Sequence, residues 1–329
     1  MTPKEWYSSL KRYEGADFKK SIGQLAVTLA GYTSLVFLMF FLVLKELPYW
    51  VVLLIAFPAA GFHVKLFIIL HDCSHSSFFK NSRANSIVGN LCGILTFTPF
   101  YDWKHSHAVH HATVSNLDKR GTGDVWTMTV REYKTAPLRE KIRYRIFRNP
   151  LFLFGIAPLF LFLVLFRLPH RGMSPKDLKS ILLTDLVLAL IIVGFSLTLG
   201  FSVWFWVMFP ILAISTISGT WLFFIQHQFK TVYWSRSTHW NKIRAALEGS
   251  SFYKLPAVLR WFSGNIGYHH IHHLNSLIPN YRLPKVFWNI PQTREVTPIG
   301  FFASLKSLFL FLWDENTGEL VSFRAAKRL

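Results

Sequence analysis

Three clusters of histidine carry the chemistry available to this sequence. His107, His110 and His111 form an H-x-x-H-H pattern, and the same spacing returns as His269, His272 and His273. A shorter pair, His71 and His75, closes the first long apolar region. On an α-helix, residues three and four apart lie on one face with Cβ atoms about 5–6 Å apart, so each cluster can aim its imidazoles at one point. Neutral imidazole suits zinc, copper, iron and nickel, so ligand type alone does not name the metal. Ligand number narrows the choice. A structural zinc takes four ligands and a catalytic zinc commonly three. Eight clustered imidazoles exceed both, which points to two metals. Iron is favoured, because a redox role accounts for a site rich in neutral ligands and poor in carboxylates. His227, directly after the last apolar block, is the ninth candidate ligand.

Ligating histidines usually donate their other ring nitrogen to a carboxylate or a carbonyl. Asp72, Asp102, Asp118, Asp124 and Asn265 lie close enough in sequence to accept, with Asp72 and Asp124 the first choices. His105 and His270 adjoin the clusters but fall off their shared faces, so they read as supports rather than ligands. His170 and His239 read as ordinary surface or interface residues, and Trp103, Trp240, Tyr268 and Tyr281 as candidates for the walls of a dry pocket.

The elements that must position these residues belong to a membrane protein. Of the 329 residues, 51% are hydrophobic, and they are gathered into long blocks rather than diluted with charge. The expected architecture is an all-α integral membrane domain over residues 1–329. It has about four transmembrane helices, additional re-entrant or interfacial helices, and a cytosolic cap rich in histidine. Spans are expected over residues 22–44 and 50–70, so the second ends where His71 begins. His63 and Lys65 fall inside that second span. Lys65 reads as snorkelling toward the interface, and His63 as a supporting or structural residue. Residues 87–100 are too short and too interrupted to cross, which suits an interfacial or re-entrant segment.

The later blocks obey a parity rule. If the second and third clusters meet, an even number of crossings separates them. Residues 150–166 are interrupted by Gly155 and Pro158 and flanked by basic residues at both ends, so they are expected to re-enter or lie at the interface. Residues 180–199 and 201–225 then form a hairpin turning near Gly200. Helices are expected over 240–249 and 252–262, and an amphipathic interfacial helix over 301–313. Residues 1–20 mix basic and aromatic side chains, as expected of a cytoplasmic arm at headgroup level.

The formal net charge is +19. In a membrane protein that excess belongs on the cytoplasmic side, which predicts both termini and the histidines there, in the cell membrane. The run Arg139, Lys141, Arg143, Arg145 and Arg148 reads as such a flank. The charge also favours acidic soluble partners. No nucleic-acid motif accompanies it. Cys73 and Cys92 imply no disulfide framework, and the first twenty residues lack a secretory signal pattern.

Beyond single residues, the phrases HDCSH (71–75), HSHAVHH (105–111), QHQ (226–228) and GNIGYHHIHH (264–273) closely resemble the integral-membrane fatty acid desaturases. The likeness is best to the bacterial acyl-lipid branch, Δ12 (ω-6)-like or Δ5-like, and runs from about residue 63 to 313. It implies a non-haem di-iron centre that uses O2 and two electrons to place a cis double bond in a membrane phospholipid acyl chain. It carries the iron ligands onto His71, His75, His107, His110, His111, His227, His269, His272 and His273. It also implies a separate electron donor, ferredoxin or flavodoxin. Two rivals stand beside it. A hydroxylase or ketolase of the same superfamily would use the same clusters. A histidine-rich metal transporter would instead place ligands at mid-bilayer on broken helices, whereas these lie past the ends of the apolar runs.

Overall fold

The computed structural model describes residues 3–328. A short helix, α1 (Pro3–Ser9), precedes two long ones, α2 (Phe18–Leu44) and α3 (Tyr49–Ser74). Then come α4 (Ser82–Leu95), α5 (Phe100–Thr113), the short strand β1 (Met128–Thr129), α6 (Val130–Thr135), α7 (Leu138–Phe147) and α8 (Ala157–Leu163). A second long pair, α9 (Pro175–Thr198) and α10 (Phe201–His227), leads into α11 (Lys242–Glu248), α12 (Ala257–Phe262), α13 (His269–Leu274) and α14 (Leu283–Asn289). The two long pairs are the four helices long and apolar enough to cross a membrane, with mean hydropathies of 1.8 to 2.4. At about 1.5 Å per residue each exceeds the roughly 30 Å hydrocarbon layer.

Local chemistry sets their ends. Asp17 accepts the Lys20 backbone N–H to cap α2. Ser174 and Asp177 form a reciprocal capping box on α9. The α9–α10 hairpin turns at Gly200, whose φ of 89° is a left-handed conformation that glycine adopts without strain. The hub of the bundle is α3, which packs against α2, α4 and α10. It does so through small buried residues, Ala56, Ala59 and Ala60. On the outer faces, Phe37 and Leu197 stay exposed, as lipid-facing side chains do.

Two segments dip without crossing. The end of α4 lies beside α3, where the Leu95 carbonyl meets His63 Nε2 at 3.0 Å. His63 precedes His71 by eight residues, so α4 reaches about 12 Å below the first histidine cluster before α5 climbs back. His63 is therefore a tie between α3 and α4. The second dip pairs α7 with Leu151–Arg167, bent by 58°. A wide π-helical turn over Leu151–Ile156 leads into α8. Both ends are tied on the histidine side. Arg148 bonds Gln228 Oε1, and His170 Nε2 lies 2.8 Å from Asp102. Deeper in this dip, Arg167 bonds the Phe97 carbonyl and pairs with Asp185 of α9. These contacts match the expected re-entrant segment.

Several expectations are corrected. Residues 252–262 are not one helix: Phe252–Lys254 is a strand (β2), and Pro256 delays the helix to α12. Residues 301–313 are a single helical turn, Phe301–Ser304, a 3-10 turn and the start of a strand, because Leu312–Asp314 pairs with Glu319–Val321 and with Met128–Thr129. Phe302 and Phe309 nonetheless remain exposed there. A second pairing joins β2 in parallel to Pro298–Gly300. The aromatic side chains of the N-terminal arm pack on the cap. Trp6, Leu10 and Tyr13 are buried against Tyr268, Ile271 and the α14 side chains Leu283 and Val286. Lys65 does not snorkel to water; its Nζ sits 3.1 Å from the centroid of the Trp261 ring, a cation–π contact. Arg148, read as a flank, is wholly buried among the Trp126 and Leu310 carbonyls and Gln228.

Candidate metal centre

All nine predicted ligand histidines come together, in two groups. His71, His75, His107, His111 and His272 form one; His110, His227, His269 and His273 form the other. Within each group one nitrogen per ring lies within 4.8 Å of the rest. Four elements supply them. The last turn of α3 gives His71, and His75 is the residue that ends that helix. The H-x-x-H-H face of α5 splits between groups, His107 and His111 to one and His110 to the other. His227 ends α10, and α13 divides likewise, His272 to the first and His269 and His273 to the second.

The ring nitrogens meet too closely to be ordinary neighbours. His110 Nε2 and His227 Nε2 are 3.2 Å apart, His227 and His269 2.9 Å, and His269 and His273 3.0 Å. In the other group, His111 Nε2 is 3.1 Å from His107 Nε2 and 3.0 Å from His272 Nε2. Their partners on the far side decide which atoms carry hydrogen. His227 Nδ1 is 3.0 Å from the Gly249 carbonyl, which only accepts, so Nδ1 holds the proton and Nε2 a lone pair. His110 Nδ1 faces the Asp124 carboxylate at 2.9 Å, with the same result. With both rings neutral, as metal ligands must be, two lone pairs face each other at 3.2 Å, which is not a hydrogen bond. Imidazole nitrogens about 2.0–2.1 Å from one ion and at right angles lie about 3 Å apart, which is the spacing found. His75 Nε2 is buried and without a hydrogen-bond partner among the described residues. The donor set fits a metal.

The electrostatics agree. For His107, His111, His269, His272 and His273, burial and then the neighbouring imidazoles hold the pKa well below the ordinary 6.5. The rings are neutral, as ligands require.

The predicted supports divide. Asp72 and Asp124 both reach ligand rings, Asp72 Oδ1 lying 3.3 Å from His71 Nδ1. His105 instead bonds Asp177 and ties α5 to α9. His270 is buried against the Thr293 carbonyl, and burial lowers its pKa to about 4. Asn265 holds a left-handed turn before α13 and bonds the Asn280 carbonyl rather than a ring. Asp102 pairs with His170, and Asp118 with Arg236. Trp103 stacks on His107 with ring centroids 4.4 Å apart; Trp240, Tyr268 and Tyr281 make structural contacts elsewhere.

Three contributors escape a reading by spacing. Asn280 gives both its backbone N–H and its side-chain N–H to Asp72 Oδ2, each at 2.8 Å. Gln24 of α2 in turn pairs its amide with that of Asn280. The Gly249 carbonyl, which fixes His227, has no side chain to announce it.

With this geometry in view, the comparisons are decisive. A family model described as fatty acid desaturase matches residues 21–302. The chain belongs to the fatty acid desaturase family. It is 43% identical to a fatty acid desaturase of Bacillus subtilis (strain 168) over 311 residues, 94% of this chain and 88% of the relative. It is 28% identical to an sn-1 acyl-lipid omega-3 desaturase (ferredoxin) of Nostoc sp. (strain 36), over 76% of this chain and 69% of the relative. An sn-1 oleoyl-lipid 12-desaturase of Picosynechococcus sp. matches at 28% over 74% and 70%. The resemblance of the histidine phrases is thus borne out at the level of family and of oxidoreductase activity.

Proposed function

We propose that this desaturase acts on acyl chains of membrane phospholipids, placing a cis double bond with two iron ions, O2 and two electrons from a ferredoxin or flavodoxin. The observation that carries the reading is the convergence of nine lone-pair-bearing imidazoles, in groups of five and four, where membrane-length helices end. His71, His75, His107, His111 and His272 would hold one ion, and His110, His227, His269 and His273 the other. Bound iron supplies the O2-dependent oxidation that breaks two unactivated C–H bonds.

This chain's own residues do the rest. Asp124, Asp72 and the Gly249 carbonyl keep the proton on Nδ1 of their histidines, so that each Nε2 faces inward. Trp103 lies flat on His107 and meets Phe67, itself against Phe162, which packs aromatic surface on that side of the five-histidine group. Phe223 does the same beside His110 and His227. The basic face of the cap favours a cytoplasmic orientation in the cell membrane, with both termini on that side.

The test is fatty acid methyl ester analysis of a host expressing the protein with a ferredoxin system, with double-bond positions mapped. The expected result is a new cis-unsaturated species, absent with His111→Ala. Hydroxylated or keto products would move the reading to an oxygenase.

A further inference from the structure

On the water side of the cap an opening of about 540 Å³ lies between the N-terminal arm, α11 and the loop after α13. His111 and His273 form its floor, and Tyr7, Lys11, Lys242 and Leu277 stand on its walls. The two floor rings are stacked with centroids 4.1 Å apart, yet His111 belongs to the five-histidine group and His273 to the four-histidine group. A molecule seated here touches both groups at once.

Two lysines, Lys11 and Lys242, and one carboxylate, Glu14, line the opening, so its charge is net positive. Lys11 and Lys242 are exposed and make no ion pair among the described residues. Glu14, the carboxylate of the lining, is already engaged by Asn275 Nδ2 at 2.7 Å. Leu277, 46% exposed, supplies an apolar contact on the rim. The arm that builds one wall is held down by the Tyr7 hydroxyl on the Leu274 carbonyl and by Arg282 on the Tyr13 and Glu14 carbonyls.

We propose that this opening is the docking site for an acidic one-electron carrier protein, and that the N-terminal arm is part of the docking surface. The proposal rests on the desaturase reading, whose balance needs such a partner. Removing two hydrogens from a –CH2–CH2– unit with O2, to give –CH=CH– and two waters, takes two further electrons and two protons. A carrier delivering one electron at a time supplies those electrons in two encounters, each oxidising one carrier. Exposed lysines around a concave, water-facing floor attract an acidic surface and speed its encounter. The net charge of +19 adds to that attraction at long range.

The experiment uses the metal-loaded full chain in vesicles of neutral phosphatidylcholine, with reduced [2Fe–2S] ferredoxin as the probe. Stopped-flow reduction should slow as salt rises toward about 0.5 M. Lys11→Glu with Lys242→Glu should lower the bimolecular rate about tenfold and flatten its salt dependence; the Gln pair should fall between. Lys306→Glu with Lys327→Glu, the same charge change on the C-terminal segment, should match the wild type. Dithionite, which needs no docking, should reduce all of them alike, showing that the metal sites are intact. A double Glu variant reduced by ferredoxin at the wild-type rate would overturn the proposal. So would a variant altered only in its response to added anionic phospholipid, which would make the opening a headgroup site. A protein that ferredoxin reduces as expected but that yields no unsaturated product would instead sink the desaturase reading.

Discussion

The two histidine groups share two H-x-x-H-H helices and yet are held in different ways. The group of four is wholly buried, and two of its rings are fixed from behind, by Asp124 at 2.9 Å and by the Gly249 carbonyl at 3.0 Å. The group of five has one more imidazole, but His75 and His111 are only half-buried. Its one carboxylate contact is the longer 3.3 Å approach of Asp72 to His71. The first group is defined by its surroundings and the second by its own number. The difference teaches that identical spacing in sequence does not make equivalent sites: each H-x-x-H-H helix divides its three rings between the two.

The largest test of that contrast removes ligands. His269→Ala, in the buried group, and His107→Ala, in the open one, should each lose about one of two bound irons and reduce product a hundredfold or more. Chelation of the wild type should run in two phases, with the open group emptied first. Simultaneous loss of both irons would break the comparison. Metal analysis beside product analysis checks it.

Next in size are the supports. Asp124→Asn should cost about tenfold to a hundredfold in iron affinity or activity, and Asp72→Asn less, because its contact is longer and shared with Asn280. Asn280→Ala should fall below both while leaving His110 and its partners untouched. Iron titration of each variant, with spectra of the bound metal, orders them. An Asp72 effect larger than that of Asp124 would reverse the contrast.

The ligands were legible because metal binding imposes a period on the helix, and a period is visible in one dimension. The supports were legible where a carboxylate lies near a cluster in sequence, as Asp72 and Asp124 do. Asn280 and Gln24 meet across 256 residues and have no pattern to announce them. The spans were legible because about 30 Å of hydrocarbon demands a long apolar run. Strands of two or three residues make no such demand, so the pairings that turned residues 252–254 and 312–314 away from helix were hidden. Lys65 was misjudged because its partner, Trp261, lies on a segment that only the fold brings against α3.

The smallest expected effect lies at the rim. Asp102 hydrogen-bonds His170 and raises its pKa above the ordinary 6.5. Stability from this pair is complete below about pH 6.5 and is lost as pH rises through the raised value. With His170 more than half exposed, screening limits it to less than about 1 kcal/mol. Thermal unfolding should therefore separate wild type from His170→Gln slightly near pH 5.5 and not near pH 8.5. Activity should not follow, since neither histidine group is touched.

The contact of the arm with the end of α13 also has a history within each molecule's synthesis. Tyr7 bonds Leu274, 267 residues later. At about 5–20 residues per second, the ribosome leaves Trp6, Leu10 and Tyr13 waiting on the order of ten to fifty seconds for the surface that buries them. Each histidine group also takes a ligand from α13. A nascent chain therefore holds an unfinished cap, an open apolar patch and incomplete histidine groups until nearly its last helix emerges, so a metal that needs the complete groups enters at the close of biogenesis rather than along the way.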